Sequence, residues 1–305
     1  MRGTTRSEYP GRALTRLLAA FALSAAPAFA AGWLCAAYAA DDFKSGGPFV
    51  PTPQVVVDQM LFMANIKSSD YVVDLGSGDG VIVLTAARLF KASGMGVDID
   101  PRLVKLSNDA ARKFGVADRA YFLEQDVFKA DLSKASVVTL YLLPGMMLNL
   151  RGKIFNELKP GARVVSHDYH FGEWPPDDQM SFDVPEKEAV NGVPKATIYL
   201  WHVPARVAGK WQVGVAGGET YELTLKQRFQ NVEGSVTAGG KALRPQHLTL
   251  RGDEFTFALP DGKGVARFTG RVAGDAMEGT VELPGAKAPA RWSAVRTAAG
   301  VVTVN

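Results

Sequence analysis

Cysteine is almost absent from this chain, since Cys35 is the only one among 305 residues. A single thiol excludes an internal disulfide, whichever compartment the protein occupies. Neither cysteine nor serine occurs in an arrangement that indicates nucleophilic catalysis. The fold does not need disulfides for stability, because 305 residues with 47% hydrophobic content provide a large core. This length is enough for about two domains.

Histidine is also scarce, with four in the chain. His167, Asp168 and His170 look at first like part of a metal site. Two histidines three positions apart after a strand do not define a ligand geometry, however, and His202 and His247 are distant in the sequence. We therefore expect no metal.

An excess of one charge is missing from the body of the chain. The formal net charge is +3, and residues 1–16 alone carry +3. Residues 41–204 contain 17 basic and 21 acidic side chains, net −4, and residues 205–305 contain 13 basic and 9 acidic, net +4. This balance disfavours nucleic-acid binding through a broad basic face. The opposite charges also suggest that the two halves dock on each other.

Residues 17–40 form a long apolar run without charge, preceded by four arginines and followed by Asp41 and Asp42. A basic start, an apolar stretch and A-x-A motifs at 28–30 and 37–39 are typical of a signal peptide. The run is also long enough to span a bilayer as an uncleaved anchor. In both cases we expect an exported, periplasmic or extracytoplasmic body, with membrane contact only through this segment.

Between residues 71 and 203, short apolar runs alternate with helical patterns. This alternation predicts an α/β domain over 41–204, with a mainly parallel sheet covered on both faces. The predicted strands are 71–75, 94–98, 120–123, 137–142 and 163–166, and the predicted helices are 81–90, 101–114 and 146–158. Two later strands, 180–184 and 196–202, have no helix predicted between them and are expected to form an antiparallel hairpin at one sheet edge.

After residue 205 the pattern changes to short alternating segments separated by glycine turns. This pattern predicts a small all-β accessory domain, a barrel or sandwich, over 205–305. Its recurring aromatic residues fit either a filled core or a sugar- or lipid-binding barrel, and the filled core is the simpler interpretation.

The first predicted strand leads into a glycine-rich loop, Asp-Leu-Gly-Ser-Gly-Asp-Gly at 74–80. Glycine permits positive φ and a close approach of backbone amides to a ligand. The spacing is G-x-G-x-G, and Val81 stands where the dinucleotide fingerprint G-x-G-x-x-G has its third glycine. Asp74, in front of the loop, favours a ligand with a cationic amino-acid end over a pyrophosphate.

Acidic residues follow the next two strands as well. Asp98 ends the second strand, where an ionised carboxylate can accept both hydroxyls of a ribose. Asp126 follows the third strand and can accept the amine of an adenine, with Val127 as an apolar neighbour. Because the carboxyl ends of neighbouring parallel strands meet at one edge, these acids and the glycine loop predict a single crevice.

These residues resemble a class I S-adenosylmethionine-dependent methyltransferase over 71–166. More narrowly, 48–178 is similar to the lysine methyltransferases that act on the mitochondrial adenine nucleotide translocase and the ATP synthase c subunit, and to their prokaryotic relatives. The shared segments are Pro-Phe-Val-Pro-Thr-Pro at 48–53, the 74–80 loop, Met146-Met147, Gly-Ala-Arg-Val-Val at 161–165 and Trp-Pro-Pro at 174–176. Tyr-Leu-Leu-Pro at 141–144 departs from the Asn/Asp-Pro-Pro-aromatic motif of many amino methyltransferases, which the related lysine enzymes lack too.

The resemblance implies a Rossmann-like, doubly wound, seven-stranded sheet and S-adenosyl-L-methionine as cofactor. It assigns cofactor contacts to Asp74, Gly76, Ser77, Gly78 and Gly80 at the methionine end, Asp98 at the ribose, and Asp126 and Val127 at the adenine. The 51–53 segment, with Thr52 and Pro53, would fold over the crevice as a lid. Candidates for the acceptor pocket are Tyr141, His167, Asp168 and Trp174, none of them assigned as a catalytic base.

The sequence therefore predicts methyl transfer, with a protein lysine amine as the expected acceptor and a membrane-associated protein as one candidate substrate. Such a reaction needs alignment and an uncharged acceptor more than a strong base. Two alternatives stay open. One is an exported binding or scaffold protein with a vestigial methyltransferase fold, although its cofactor residues are intact. The other is a methyltransferase for a small molecule or lipid.

Overall fold

The structure, a computed structural model, describes residues 47–260 and 264–304. These residues belong to one compact unit, Phe43–Asn305. Among the described helices, none combines the length and the hydropathy needed to cross a membrane. The predicted signal or anchor segment, 17–40, lies outside the described residues.

The first sheet has seven strands, and helices precede or connect them. The strands are β1 (Tyr71–Leu75), β2 (Ser93–Asp98), β3 (Ala120–Glu124), β4 (Val137–Leu140), β5 (Arg163–His167), β6 (Asp178–Asp183) and β7 (Lys195–His202). The helices are α1 (Gln54–Met63), α2 (Val81–Thr85), α3 (Pro101–Lys113), α4 (Pro144–Glu157) and α5 (Glu188–Asn191). The spatial order is β3-β2-β1-β4-β5-β7-β6, with β7 antiparallel to both of its neighbours. The predicted seven-stranded doubly wound sheet and its edge hairpin are confirmed.

Both faces of this sheet are buried, which explains why its strands read as continuous apolar runs. Alternate residues of a strand point to opposite faces. Val72 lies in the cluster that contains α1 residues, and its neighbour Val73 lies in the cluster that contains α4 residues. The crevice predicted from the sequence is therefore at the carboxyl edge of a sheet held rigid from both sides.

The strand limits differ from the prediction by up to two residues, and the main differences concern three helical segments. The predicted helix 81–90 is α2 followed by a π-helical turn, Ala86–Phe90. Helix α4 begins at Pro144, because proline is well suited to a first helical turn. The connection between β6 and β7 contains a 3₁₀ turn, Pro185–Lys187, and the one-turn helix α5, where no helix was predicted. This last difference matters because the connection contributes a residue to the site.

The C-terminal part forms a second sheet, which is antiparallel along its main path. Its strands are β8 (Gly209–Val215), β9 (Thr220–Arg228), β10 (Asn231–Ala238), β11 (Lys241–Leu243), β12 (Gln246–Arg251), β13 (Glu254–Pro260), β14 (Val265–Ala273), β15 (Ala276–Glu282), β16 (Ala290–Ala299) and β17 (Val302–Thr303). The order is β11-β10-β9-β8-β16-β15-β14-β13-β12, with β17 parallel to β9. The predicted all-β fold is confirmed, as a single half-barrel sheet and not as a two-sheet sandwich.

Most aromatic residues of the second sheet fill its own core, as the simpler interpretation predicted. Trp211, Phe255, Phe268 and Trp292 are buried in one cluster. Phe229 is different, because it is buried in the core of the first sheet. The division into domains at residue 205 stays a prediction, since both sheets belong to the same compact unit.

Candidate active site

The glycine loop between β1 and α2 has a backbone that its glycines make possible. Gly76, Gly78 and Gly80 have φ values of 79°, 52° and 79°, in a region that other residues rarely adopt. The loop is also closely packed. A β carbon at Gly76 would stand 2.6 Å from Leu142, and one at Gly78 would overlap the ring of Phe49. Both positions therefore require glycine.

Asp98, at the end of β2, is bonded directly to this loop. Its Oδ2 accepts a hydrogen bond from the Gly78 N–H at 2.8 Å, and its Oδ1 accepts one from the Asp100 N–H at 2.9 Å. Each carboxylate oxygen has a second lone pair. Asp98 thus holds the loop in place and keeps the capacity to accept ribose hydroxyls.

Asp74 lies at the end of β1 and is only 2% exposed. The Thr139 hydroxyl donates a hydrogen bond to its Oδ1 at 2.7 Å. Burial raises the pKa of the Asp74 carboxyl to about 7, the Thr139 hydrogen bond offsets part of the rise, and the carboxylates of Asp98 and Asp79 add to it. A cationic group bound beside Asp74 would favour its ionised form.

Asp126 and Val127 lie where the sequence predicts the adenine end. The Asp126 Oδ1 accepts a hydrogen bond from the Phe128 N–H at 2.9 Å, which begins a short 3₁₀ turn, and Val127 is buried. The backbone of Gln125 donates to the carbonyl of Asp98 at 2.9 Å. The loops after β2 and β3 are therefore joined, as a shared nucleoside site requires.

The segment before α1 contacts the crevice through a residue that the sequence analysis did not single out. The ring of Phe49 packs on Gly78. Thr52 is half-buried, and Pro53 is the residue immediately before α1. The aromatic residue within the Pro-Phe-Val-Pro-Thr-Pro segment was the available signal. The role of residues 51–53 as a lid stays a prediction.

On the acceptor side, Tyr141 and His167 meet at the carboxyl ends of β4 and β5. Their ring centroids are 4.0 Å apart, with 32° between the ring planes. Tyr169 stacks with Tyr141 at 6.4 Å and 17°. Leu142, the residue after Tyr141, contacts the glycine loop at Gly76. The structure therefore places these aromatic rings beside the methionine end of the predicted cofactor site.

Lys187 is the site residue that the sequence analysis missed. It comes from the 3₁₀ turn between β6 and β7 and is only 3% exposed. Its Nζ lies 2.5 Å from the Asp168 Oδ2, 2.7 Å from the Lys195 carbonyl and 3.2 Å from the His167 Nε2. A lysine 19 positions after Asp168 gave no sequence signal, because the contact depends on the β6–β7 connection folding back.

These contacts bear on the protonation state of His167. A lysine ammonium has donors and no acceptor, so in its contact with Lys187 the Nε2 of a neutral His167 takes the acceptor role, which corresponds to the tautomer with its proton on Nδ1; the same Nε2 also lies 3.4 Å from the Asp168 Oδ2. Burial lowers the pKa of His167 to about 4, Asp168 opposes this effect, and Lys187 adds to it. Nδ1 is buried and has no hydrogen-bond partner among the described residues. His167 is thus neutral near pH 7, with its Nε2 directed at the Lys187 ammonium.

Asp168 is engaged at both oxygens, which argues against a role as proton acceptor. Oδ2 pairs with Lys187, and Oδ1 accepts from the Thr197 N–H at 3.0 Å. Its backbone has φ 63°, a left-handed conformation that aspartate tolerates better than most residues. We conclude that Asp168 neutralises Lys187 at the end of β5.

The placement of Trp174 in the acceptor pocket is corrected by the structure. Trp174 is completely buried. Its ring stacks on Phe229 at 5.6 Å and 4°, and packs against Phe155 at 5.4 Å and against Phe171 at 5.6 Å. The C-terminal sheet covers this ring, and a sequence alone does not show which surface another part of the chain will cover.

The two neighbouring histidines face different partners, so they do not form a common site. His170 Nδ1 accepts from the Gly172 N–H at 3.0 Å, whereas His167 faces the Lys187 ammonium. In the part of the chain that the structure describes, no group of three or more potential metal ligands is found.

The cofactor-side residues fit S-adenosyl-L-methionine. The hydroxyl of Ser77, inside the glycine loop, is buried without a hydrogen-bond partner among the described residues, which is uncommon for a buried polar group. A loop of glycines at positive φ with an orphaned hydroxyl, a buried acid before it and further acids after β2 and β3 suits a ligand with an amino-acid end and a nucleoside end. Together, fold and site define an S-adenosylmethionine-dependent methyltransferase.

Comparison with known proteins identifies the family. The ANTKMT methyltransferase domain matches residues 74–178. A protein-lysine N-methyltransferase of Saccharolobus islandicus is 37% identical over 155 residues, which are 50% of this chain and 92% of that protein. The chain belongs to the methyltransferase family of that archaeal enzyme.

Two further similarities are to a human enzyme and to a solved structure. A human lysine N-methyltransferase named for the ATP synthase c subunit is 35% identical over 130 residues, 43% of this chain and 55% of that protein. This chain therefore spans little more than half the length of that relative. A solved structure described as an RNA methyltransferase from Salinibacter ruber in complex with S-adenosyl-L-homocysteine is 46% identical and covers 52% of this chain and 96% of that chain, with a TM-score of 0.47.

The residues present suit in-line methyl transfer. S-adenosyl-L-methionine supplies an electrophilic methyl group on its sulfonium when bound. The glycine loop with Asp98 would hold the cofactor, and the rings of Tyr141 and Tyr169 would border the acceptor. His167 stays uncharged beside Tyr141, and Lys187 is paired with Asp168, so neither adds an unpaired positive charge there.

The pH dependence of stability should reveal the buried Asp74. Between pH 3.8 and about 7, folded Asp74 keeps a proton that the unfolded chain has released. Its contribution to stability is therefore complete below pH 3.8 and is lost as pH rises through 7. His167 has the opposite effect. In the unfolded chain the histidine gains a proton below pH 6.5, whereas in the folded protein His167 gains one only near pH 4. The stability that the neutral His167 contributes is therefore lost as pH falls from 6.5 towards 4.

Asp74→Asn keeps the Thr139 hydrogen bond and removes the titration. We expect the free energy of unfolding of this variant, relative to the wild type, to increase steadily from pH 4 to pH 7.5. Guanidinium unfolding at several pH values measures the difference. A difference that does not change with pH would contradict the raised pKa.

Proposed function

We propose that this methyltransferase acts on the side-chain amine of lysine in a protein substrate. The observation that carries the proposal is the similarity to the archaeal protein-lysine N-methyltransferase, which extends over 92% of that protein. The acceptor side agrees with it. A lysine has a long apolar stem that packs well along aromatic rings, and Tyr141 and Tyr169 are partly exposed at the crevice.

The acceptor amine must lose its proton before it attacks, and the chain offers no free base for this step among the site residues described. Both oxygens of Asp168 are engaged, and the His167 Nε2 is in contact with the Lys187 ammonium. Desolvation supplies the alternative, because burial disfavours the ammonium form of lysine. The acceptor amine therefore releases its proton to solvent as it is desolvated in the site, and the rate of transfer should rise with pH until the acceptor is deprotonated.

The test is a transfer assay with S-adenosyl-L-methionine labelled in its methyl group. Purified full-length protein is incubated separately with membrane proteins, soluble proteins, RNA and lipid from the source cells. We expect label in protein, and tryptic peptides in which lysine has gained the mass of one or more methyl groups. The Asp98→Ala variant is the matched negative control. Label confined to RNA, lipid or small molecules would contradict a lysine acceptor.

We also propose that residues 17–40 are a signal peptide or membrane anchor and that the body is extracytoplasmic. The support is the sequence pattern of four arginines, an uncharged apolar run and A-x-A motifs. Two reporters fused after Gly47 test it, one active only outside the cytoplasm and one active only inside. Activity of the external reporter is expected. If only the internal reporter is active, the body is cytoplasmic.

A further inference from the structure

One turn of the C-terminal sheet makes several contacts with the acceptor side. Residues 228–230, here named the 228–230 turn, connect β9 to β10. Residues 168–177, here named the acceptor loop, connect β5 to β6. The contacts pair in sequence order: Arg228 forms an ion pair with Glu173, Phe229 stacks on Trp174, and the Gln230 Nε2 donates to the Pro175 carbonyl at 2.6 Å.

Phe229 is the centre of this contact. Its ring is completely buried and parallel to that of Trp174, at 5.6 Å. Phe155 of α4 packs edge-on against it at 6.0 Å, and the Arg151 guanidinium lies 5.6 Å from its ring centre. Phe229 therefore occupies a pocket formed by the first sheet, like an anchor residue at a protein interface.

The turn is held rigid by the sheet that carries it. Gln227 is buried, and its Nε2 donates to the carbonyls of Ala205 and Phe229, both at 2.8 Å. Its Oε1 accepts from the Val207 N–H at 2.7 Å. Strand β17 pairs with the end of β9, and the Phe229 N–H donates to the Thr303 carbonyl at 3.2 Å. A buried amide with all its bonds satisfied fixes the conformation of the turn.

The acceptor loop borders the reacting region at its other end. It starts with Asp168, which pairs with Lys187, and continues with Tyr169, whose ring stacks with Tyr141. It ends at Asp177, whose carboxylate accepts from the His202 N–H. Between these ends, the middle of the loop is held by the 228–230 turn and by the Trp201 indole, which donates to the Trp174 carbonyl at 3.1 Å.

We propose that the C-terminal sheet is part of the acceptor machinery: the 228–230 turn, with Phe229 as positioning residue, orders the acceptor loop for the incoming protein substrate. The inference rests on the proposed function only in taking the acceptor to be a protein. The comparison with the archaeal enzyme is consistent with an additional part. The similarity covers 92% of that enzyme and 50% of this chain. About half of this chain therefore lies outside that similarity.

The contacts of the 228–230 turn reduce the conformational freedom of the acceptor loop before the substrate arrives. A loop that is held in its binding conformation loses less entropy on binding. Small displacements of aligned groups are also costly, since transfer depends on the distance and direction between the reacting atoms. Removing these contacts should therefore slow methyl transfer to the acceptor. It should leave cofactor binding unchanged, because we predict the cofactor site on β1 to β3.

The experiment compares three full-length variants with the wild type. Phe229→Ala removes the anchor, and Phe229→Leu restores much of its volume. The double variant Arg228→Ala/Gln230→Ala removes the partly exposed contacts and preserves the buried ring, so it is informative even if Phe229→Ala does not fold. Lys210→Ala is the matched control, because it breaks an equally exposed ion pair, to Glu222, within the same sheet.

Three quantities are measured. Hydrogen exchange of peptides from 168–177 reports order in the loop and needs no acceptor. Calorimetry reports the dissociation constant of S-adenosyl-L-methionine. Labelled methyl transfer to the protein fraction that the wild type methylates reports kcat/KM for the acceptor.

For Phe229→Ala and the double variant we expect faster hydrogen exchange in the acceptor loop and an unchanged dissociation constant for S-adenosyl-L-methionine. We expect kcat/KM for the acceptor to be lower by about tenfold or more. Phe229→Leu should recover much of the loss, and Lys210→Ala should equal the wild type. Unchanged exchange, unchanged transfer, or a parallel loss of cofactor affinity would each overturn the proposal. Failure of the wild type to label any protein would refute the proposed function instead, and the exchange result would still decide whether the turn orders the loop.

Discussion

Replacing Asp98 with alanine should abolish most of the affinity for S-adenosyl-L-methionine while leaving the protein folded. The variant loses the hydrogen bond that holds Gly78 and the acceptor for ribose hydroxyls at the same time. Hydrogen bonds to a charged group are worth about 1.5–3 kcal/mol, so binding should weaken by about ten- to a hundredfold or more. Calorimetric titration of the cofactor measures the loss.

Asp100→Ala is the matched control for this prediction. Asp100 is also a carboxylate at the end of β2, but its side chain accepts from the Arg102 N–H and caps α3. Loss of a helix cap costs about 1 kcal/mol of stability and should leave cofactor affinity intact. Equal affinities for the two variants would show that the ribose site is elsewhere.

Replacing Lys187 with methionine should destabilise the protein more than any other single change at the site. The variant leaves the Asp168 carboxylate without its cation in a largely buried position. Breaking a buried ion pair costs about 3–5 kcal/mol, because the remaining charge is uncompensated. Denaturant unfolding at neutral pH measures this loss.

The same variant should change the ionisation of His167. Removal of the Lys187 charge raises the histidine pKa from about 4, since Lys187 lowers it and the freed Asp168 raises it. NMR of the imidazole should show titration closer to neutral pH, and the pH profile of transfer should gain an ionisation on its acid side. An unchanged imidazole titration would refute the contact between Lys187 and His167.

The double variant Lys187→Met/Asp168→Asn separates the two effects. Asparagine removes the unpaired charge and tolerates the left-handed backbone at position 168. It should recover much of the lost stability. If it is no more stable than Lys187→Met, the stabilising effect of Lys187 does not come from its pairing with Asp168.

The local sequence was sufficient to predict most of the first sheet and the positions of the residues assigned to the cofactor side. Strand β1 has the predicted limits, 71–75, because an apolar run before a glycine loop leaves few alternatives. Asp74, Asp98 and Asp126 lie at the ends of adjacent strands, as parallel topology requires. Each of these features depends on residues close together in the chain.

The acceptor side could be predicted only in part. Tyr141 and His167 follow β4 and β5, and the structure brings them together. Lys187 gave no signal, because a lysine in a polar connection looks exposed until the chain returns to the end of β5. Trp174 was misplaced for a similar reason: an aromatic residue in a loop after a strand fits a pocket as well as it fits an interface.

The sequence by itself determined the α/β sheet, the glycine loop and the positions of the carboxylates that we predict bind the cofactor, since strand periodicity and glycine backbone freedom are local properties. The tertiary structure decided the state of His167, the pairing of Lys187 with Asp168 and the burial of Trp174 under Phe229. Those features join residues that are 19 to 55 positions apart, and the distances between such residues depend on how the whole chain packs.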